Sequence, residues 1–366
     1  MRVIQAIDVR WYNACADFAV AQALALQRAG HDVLLMADPG SPPANKAREM
    51  GLNLNEKVYF SSINIIGSLL RFNKIIKEFK PDIIMAHRGE SHLLGALAGR
   101  INGVPLVRFR GDVRKPRPDV FSRWLNEKLT AGIAVSTGKL KNIYEASYNL
   151  NGVPVDVIYP GIDLARFSST KPKPELKRKF GIEPHEFVIG IVGRLSPVKG
   201  HRFFLEAVSK VIAEVPGIRI VIAGEDAQIR KEDILRSAEN LGIEKITMPG
   251  TVPDVEELVA IFDIGVVSSI GSEMICRVLL EYYAAGIAAV ATSINQIEEI
   301  VSLSGAGLLV PPGNPAAMAD AIKKLALDEE LRKTHGEKAQ KWMETRGSLE
   351  YLGRTTEIFL ERVLNG

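Results

Sequence analysis

A chain of 366 residues is too long for one ordinary domain and fits two. Hydrophobic residues at 46% and charged residues at 24% exclude a disordered or fibrous chain, and two distant cysteines, Cys15 and Cys276, exclude a disulfide framework and lack metal-ligand spacing. The net charge of +3 divides into +6 over residues 1–165 and −3 over the remainder, so any anionic partner is expected on the first half.

The opening MRVIQAIDVRWYN reads as a strand, Val3–Ile7, running into polar turn residues. It lacks the apolar block and small-residue cleavage site of a signal peptide, and no run of 18 or more apolar residues marks a membrane span. A cytosolic setting is the expectation. A helix is expected over Ala14–Ala29, then strands at Val33–Met36 and Ile83–Ala86 on either side of a helix at Ile65–Phe79. Strands at Pro105–Phe109, Ile133–Val135 and Val155–Ile158 complete the half. These strands are continuous apolar runs rather than alternations, the pattern of strands buried on both faces. A parallel sheet covered by helices follows. Cations crowd the stretch from Arg100 to Lys128, with Arg108, Arg110, Arg114, Lys115, Arg117 and Arg123 between. They form a solvated face or a surface for an anionic acceptor or membrane. Arg71, Lys74 and Lys77 interrupt the apolar residues of Ile65–Phe79, which either touch a membrane surface or pack on the sheet.

The second half repeats the plan. Its expected strands are Phe187–Val192, Ile218–Ala223, Lys245–Met248, Ile264–Val267, Ala288–Ala291 and Gly307–Val310. Val208, Val211, Ile212 and Val215 give one helix an apolar stripe. Two doubly wound α/β domains result. Their joint is expected in residues 164–187, which are rich in Pro, Lys and Ser. The last helix, about Leu349–Leu364, has a length that allows it to cross back onto the first domain.

Ligands of open α/β sheets bind outside the carboxyl ends of the strands. After Phe187–Val192 comes Gly193-Arg194-Leu195-Ser196-Pro197-Val198-Lys199-Gly200, two cations beside a helix start. That is a diphosphate site in outline, or else a surface loop with two solvated cations. It is neither a Walker A loop nor G-x-G-x-x-G. After Ile264–Val267 comes SSIGSEMICRVLLEYYAAG. Glu273 lies in that loop and Glu281 in the next helix. A helix beginning near Ile275 would point free amides at a phosphate or sugar hydroxyl, and Glu281 could take two ribose hydroxyls.

Taken together, these segments resemble the retaining GT-B glycosyltransferases of glycosyltransferase family 4. VIYPGIDLARF resembles the family's domain-joining segment and GRLSPVKGHRFFLEAV its diphosphate loop. VIAGE, PGTVPDVEELVAIFDIGVVSS, SEMICRVLLEYYAAGIAAVAT and AGLLVPPGNPAAMADAI follow in the family's order and spacing. The resemblance implies a GT-B architecture of two Rossmann-like domains facing across a cleft. Residues 1–165 would bind the acceptor, 166–346 the nucleotide sugar, and 347–366 would form the C-terminal helix. It implies that Arg194 and Lys199, beside Gly193, hold the donor diphosphate and that Glu281 binds the ribose. Glu273 would contact the transferred sugar, with the amides of Ile275, Cys276 and Arg277 near the sugar or distal phosphate. Val252 would edge the base, and Glu225 stands in the turn that the family builds as Gly-Asp-Gly. His87 follows Ile83–Ala86 as the family's cleft histidine does. Asn13, Arg88, Glu90, Arg110 and Asp112 suggest an acceptor side of this chain's own type.

The chain departs from the family at several turns, Gly224-Glu225-Asp226 among them. Met274-Ile275-Cys276 replaces Gly-Phe-Gly, and Arg10-Trp11-Tyr12-Asn13 replaces the glycine-rich turn after the first strand. Loss of glycines narrows the backbone freedom beside the sugar. No D-x-D occurs, so the resemblance implies a transferase without metal or other cofactor. It would act on a glycolipid, polysaccharide or lipopolysaccharide-type acceptor in envelope synthesis, peripherally at the inner membrane face, with no nucleic-acid partner. A nucleotide-sugar epimerase and a noncatalytic two-lobed binding protein are the alternatives. A dinucleotide oxidoreductase lacks its glycine fingerprint.

Overall fold

Seven parallel strands form the sheet of the first half, in the order β3-β2-β1-β4-β5-β6-β7. In chain order its elements are β1 Arg2–Ile7, α1 Ala14–Arg28, β2 Asp32–Ala37, α2 Pro42–Glu49, β3 Leu54–Asn55, α3 Ile65–Phe79 and β4 Ile83–Ala86. They continue through α4 Gly89–Asn102, β5 Leu106–Arg110, α5 Val120–Lys128, β6 Gly132–Val135, α6 Gly138–Ser147 and β7 Val155–Val157. The computed structural model describes residues 1–9, 13–60, 64–111, 115–168 and 172–366. The chain divides into two units, one of Met1–Gly161 with Arg346–Gly366, the other of Ile162–Thr345.

The central strands of the first unit are apolar on both faces, as helices on both sides require. Ile4 pairs in register with Leu34 of β2 and Ile84 of β4, and all three are buried. The order reverses between β1 and β4, which opens a crevice at their carboxyl ends. Helix ends follow local chemistry. The Asn13 side chain accepts from the amides of Cys15 and Ala16 at 3.0 Å each and starts α1. Asn64 does the same for α3 through Gly67. α4 stops at Gly103, whose φ of +69° suits glycine.

The C-terminal helix Leu349–Asn365 belongs to this first unit and packs on α1. Leu349, Leu352, Phe359 and Leu360 are buried, each contributing about 1.5–3 kcal/mol of apolar burial. Buried Gln22 of α1 donates to Thr356 at 2.9 Å. A Cβ at Gly161 would fall 2.3 Å from the Ser348 carbonyl, so that crossing has room for hydrogen alone.

The second unit has six parallel strands in the order β10-β9-β8-β11-β12-β13. Its elements are α7 Lys173–Lys179, β8 Phe187–Val192, α8 His201–Ile212, β9 Ile218–Ala223, α9 Lys231–Asn240, β10 Ile246–Gly250 and α10 Val255–Ala260. Then come β11 Ile264–Val267, α11 Arg277–Ala284, β12 Ala289–Thr292, α12 Asn295–Ser304, β13 Leu308–Val310, α13 Pro315–Leu327 and α14 Glu329–Trp342. Phe204, Leu205, Val208 and Val211 of α8 join Ile189, Ile191, Ile220, Ile222, Ile264 and Val266 in its core. The strand order reverses between β8 and β11, and the loops after these two strands hold the charged motifs.

Candidate active site

Backbone contacts stitch the loops at the carboxyl end of the second sheet together. The Leu195 amide donates to the Glu225 carbonyl at 2.8 Å and the Ile229 amide to the Leu195 carbonyl at 3.0 Å. These bonds join the turns after β8 and β9. Gly224 sits at that crossing with φ +153°, and a Cβ there would lie 2.0 Å from the Gly193 carbonyl. The turn after β8 also meets the loop after β11. The Ile270 amide donates to the Val198 carbonyl at 2.9 Å, and the Ser268 hydroxyl donates to the Lys199 carbonyl at 2.8 Å. Gly200, at φ +70°, would drive a Cβ to 2.0 Å from the Ser268 carbonyl. From α11 below, the Tyr282 hydroxyl accepts from the Val192 amide at 3.0 Å and donates to the Val266 carbonyl at 3.3 Å. Burial pushes its pKa well up, so the phenol keeps the proton that ties β8 to β11.

Within this frame the Lys199 ammonium lies 2.5 Å from Glu273 Oε1. The stem of Lys199 runs past Gly193, where a Cβ would stand 3.6 Å from its Cδ. The Ser269 hydroxyl donates to the same carboxylate oxygen at 2.7 Å. Glu273 is 6% exposed and Lys199 24%, so the pair is shielded on the acid side and open on the cation side. An attraction in such a half-buried place exceeds that of a surface pair.

Ser272 and Glu273 have φ of +66° and +56°, a left-handed region that costs a non-glycine residue about 1 kcal/mol or more. Residues from the start of α12 hold them there. The Asn295 side-chain amide donates to the Ser272 carbonyl, and the Gln296 backbone amide donates to the Glu273 carbonyl at 3.2 Å. Gln296 Oε1 accepts from the Cys276 amide at 2.9 Å, and Thr292 donates to the Ser269 carbonyl at 2.6 Å. The strained turn is thus clasped from one side by four contacts. None of Thr292, Asn295 or Gln296 stands out in the sequence; the signal available was their place after β12, at the same end of the sheet.

Two expectations for this unit are corrected. α11 begins at Arg277, with Cys276 as its capping residue, not near Ile275. The Cys276 amide is not an open donor, because the buried Gln296 carboxamide already takes it. Arg277 donates to Glu281 Oε1 at 2.8 Å, so the added cation neutralises the acid assigned to the ribose. Arg194 and Glu225 are exposed, and among the described residues the Arg194 guanidinium makes no ion pair. Val252 is half-buried just after β10. Among the described residues no three His, Cys, Asp or Glu side chains converge as they would on a metal ion.

The first unit carries a second polar group of residues. His87, directly after β4, is 2% exposed. Its ring lies among Phe18 and Phe109, with centroids 6.1 and 5.4 Å away. Gln5 fixes its tautomer. The Gln5 amide nitrogen donates to the Ala19 carbonyl at 2.7 Å and lies 2.8 Å from His87 Nε2. Nε2 therefore accepts and Nδ1 carries the proton. Burial, aided by the Arg108 charge, pushes the pKa down to about 3, so the imidazole is neutral. Asn13 spends its side-chain oxygen capping α1. Arg88 caps α4, its amide donating to Ser91 Oγ at 3.1 Å. Arg110 donates to the Tyr144 hydroxyl at 2.9 Å. Asp112, like Arg10–Tyr12 and Arg114, lies outside the described residues.

The residue that sequence reasoning missed here is Asp8, just after β1 and 9% exposed. Its Oδ1 accepts from the Ser91 amide at 3.2 Å. Burial first, and then the neighbouring Glu90 carboxyl, push its pKa up to about 7 against the pull of Ser91 and Arg108. Its position at the β1–β4 reversal was the available signal.

The comparisons with known proteins agree with this architecture. The family described as Glycosyltransferase Family 4 matches residues 17–166, and Glycosyl transferases group 1 matches residues 172–342. The D-inositol 3-phosphate glycosyltransferase of Segniliparus rotundus is 30% identical over 69% of this chain, and the match spans 60% of that relative's length. An Escherichia coli UDP-Gal:alpha-D-GlcNAc-diphosphoundecaprenol alpha-1,3-galactosyltransferase is 24% identical over 83% of this chain and 82% of its own. The crystal structure of Anabaena HepE in complex with UDP superposes with a TM-score of 0.86 at 19% identity, covering 99% of this chain and 100% of that one. Two parallel-sheet domains with these loops define the GT-B class. The chain belongs to the glycosyltransferases of the family 4 type.

Proposed function

We propose that the protein transfers a sugar from a nucleotide-diphosphate donor to a hydroxyl-bearing acceptor of the glycolipid, polysaccharide or lipopolysaccharide type. Transfer would retain the anomeric configuration and use no metal. The observation that carries this reading is the Lys199–Glu273 pair at the β8–β11 reversal, with exposed Arg194 five residues before the lysine. The UDP-Gal donor in the name of the Escherichia coli relative supports a nucleotide-sugar donor.

The residues divide the work as follows. Arg194 and Lys199 stabilise the charge that grows on the departing diphosphate, an electrostatic contribution preorganised by the loop contacts. Lys199 bridges phosphate and Glu273, whose carboxylate accepts from hydroxyls of the sugar. Glu281, steadied by Arg277, takes the ribose. The acceptor oxygen forms its bond to the anomeric carbon as the carbon–phosphate-oxygen bond breaks on the same face. The acceptor's proton passes to the departing phosphate oxygen. The free thiols of Cys15 and Cys276 suit a reducing, cytosolic setting.

Lys199→Ala is expected to lower turnover by about 100-fold or more while circular dichroism stays that of the parent and melting falls only by the loss of the half-buried pair with Glu273. Transfer at a near-normal rate in that variant would remove the phosphate assignment. Melting with a panel of nucleoside diphosphates identifies the base, since binding raises apparent stability by mass action. Incubation with donor alone is expected to leave the sugar's configuration unchanged; an epimerised donor would instead establish an isomerase.

A further inference from the structure

Met274-Ile275-Cys276 changes what the turn after β11 has left to offer a sugar. Glu273 Oε1 accepts from Lys199 at 2.5 Å and from Ser269 at 2.7 Å. The Cys276 thiol, standing where the family has a glycine, also donates to the Glu273 carboxylate. Burial, and then the Glu273 charge, push the thiol's pKa well up, so the sulfur keeps the proton it donates. A carboxylate has about four acceptor sites. Three are filled from within the protein, and Glu273 itself is buried. The backbone is spent as well. The Cys276 amide donates to Gln296 Oε1 at 2.9 Å, inside a carboxamide with no exposed surface. The buried side chains of Met274 and Ile275 add hydrocarbon and a thioether, with no hydrogen-bond donor. Asn295, Gln296 and Thr292 hold this turn from α12, so it does not open without losing those contacts.

We infer that Cys276 makes the donor subsite selective for a deoxy sugar, one that presents a single hydroxyl to Glu273 and a carbon without oxygen beside it. The inference rests on the transferase reading and names the donor class within it. One of the hydroxyl contacts assigned to Glu273 is kept and its neighbour is lost. A hexose brings two adjacent hydroxyls to the turn. The second finds neither a free carboxylate site nor the Cys276 amide, and it leaves water without a replacement partner, which is unfavourable. A deoxy sugar sets C–H at that place and gives up nothing. An apolar wall rejects an added hydroxyl only modestly, by about 10–100-fold. The result is a preference among donors that share the same nucleotide, with Cys276 as its determinant.

The test is titration calorimetry of the full chain with the nucleoside diphosphate that melting selects. It is added first free, then carrying glucose, galactose, 3-deoxyglucose, 4-deoxyglucose or 6-deoxyglucose. At least one deoxy donor is expected to bind about 10–100-fold more tightly than either hexose donor. Cys276→Gly frees an acceptor site on Glu273 and is expected to bring hexose and deoxy donors within about threefold of each other. Cys276→Ser keeps a donor against Glu273 and is expected to retain the parent's preference. Each readout is a ratio of two affinities in one variant, so a change in the fraction folded does not move it. The inference is overturned if the parent binds a hexose donor as tightly as every deoxy donor, or if Cys276→Gly leaves the ratio where it was. Failure of the free nucleoside diphosphate to bind overturns the transferase reading itself, and the inference with it.

Discussion

Asp8 is a carboxyl group held where water barely reaches it, and its protonation is therefore linked to folding. Between the ordinary carboxylate value of 3.8 and about 7, the folded chain keeps a proton that the unfolded chain has released. Its contribution is complete at low pH and is lost as pH rises through about 7. His87 acts in the opposite sense. The unfolded chain takes a proton below 6.5 that the folded chain refuses until about 3, so its contribution is lost as pH falls below 6.5. The two slopes oppose each other over most of the acid range, and a variant is needed to separate them. Asn copies a protonated Asp, accepting from Ser91 and donating to Glu90. The margin by which Asp8→Asn melts above the parent is therefore expected to be about 2–6 °C wider at pH 8.5 than at pH 5.5. Parallel melting curves of the two proteins at both pH values check this, and a constant gap would deny Asp8 its raised pKa. Neither effect was legible in the sequence. A histidine or aspartate after a strand looks alike whether it faces solvent or is buried, as His87 is here against the rings of Phe18 and Phe109.

At the scale of elements, apolar runs placed the strands well. Phe187–Val192, Ile218–Ala223, Ile264–Val267 and Ile83–Ala86 are strands over the residues expected, because strands buried on both faces have to be continuously apolar. β3 was missed because two residues, Leu54 and Asn55, leave no periodicity to read. The Pro- and Lys-rich stretch 164–187 looked like a joint, yet it contains α7, which starts directly after Pro172 and buries Leu176 and Lys177. Lys199 and Glu273 were legible as a pair of motifs. Their direct contact was not, and neither was the clasp that sets it, since Asn295 and Gln296 lie some twenty residues from the turn they hold. That clasp has its own test. Asn295→Gly keeps the left-handed backbone at φ +43° and deletes only the amide on Ser272. Loss of that bond is expected to raise the donor KM by about 5–30-fold. Adding Ser272→Gly, which relieves the left-handed strain, is expected to recover part of the loss. Strictly additive effects in the double-mutant cycle would show that the clasp does not serve the turn.

At the scale of the whole molecule, the chain leaves the first unit at Gly161, builds the second, and returns at Arg346. The returning helix fills space that nothing else in the first unit can fill. Leu349, Leu352, Phe359 and Leu360 cover α1, and Thr356 satisfies the buried Gln22 amide. Ending the chain at Thr345 is expected to leave the second unit protected and the first unit loose. Amide exchange should then be fast through α1 and β6, while β8, β9 and β11 stay slow. Unchanged protection of α1 in the shortened chain would show that the helix is dispensable.

The same helix sets an order of events during synthesis. α1 is made before the second unit and the helix that covers it after, so about 15–65 s of translation separate the two at ordinary rates. For that interval the apolar stripe of α1 has no cover, while the second unit is already whole. The early-made half waits with that stripe open, and a stalled or clipped message leaves the older half unfinished rather than the younger one.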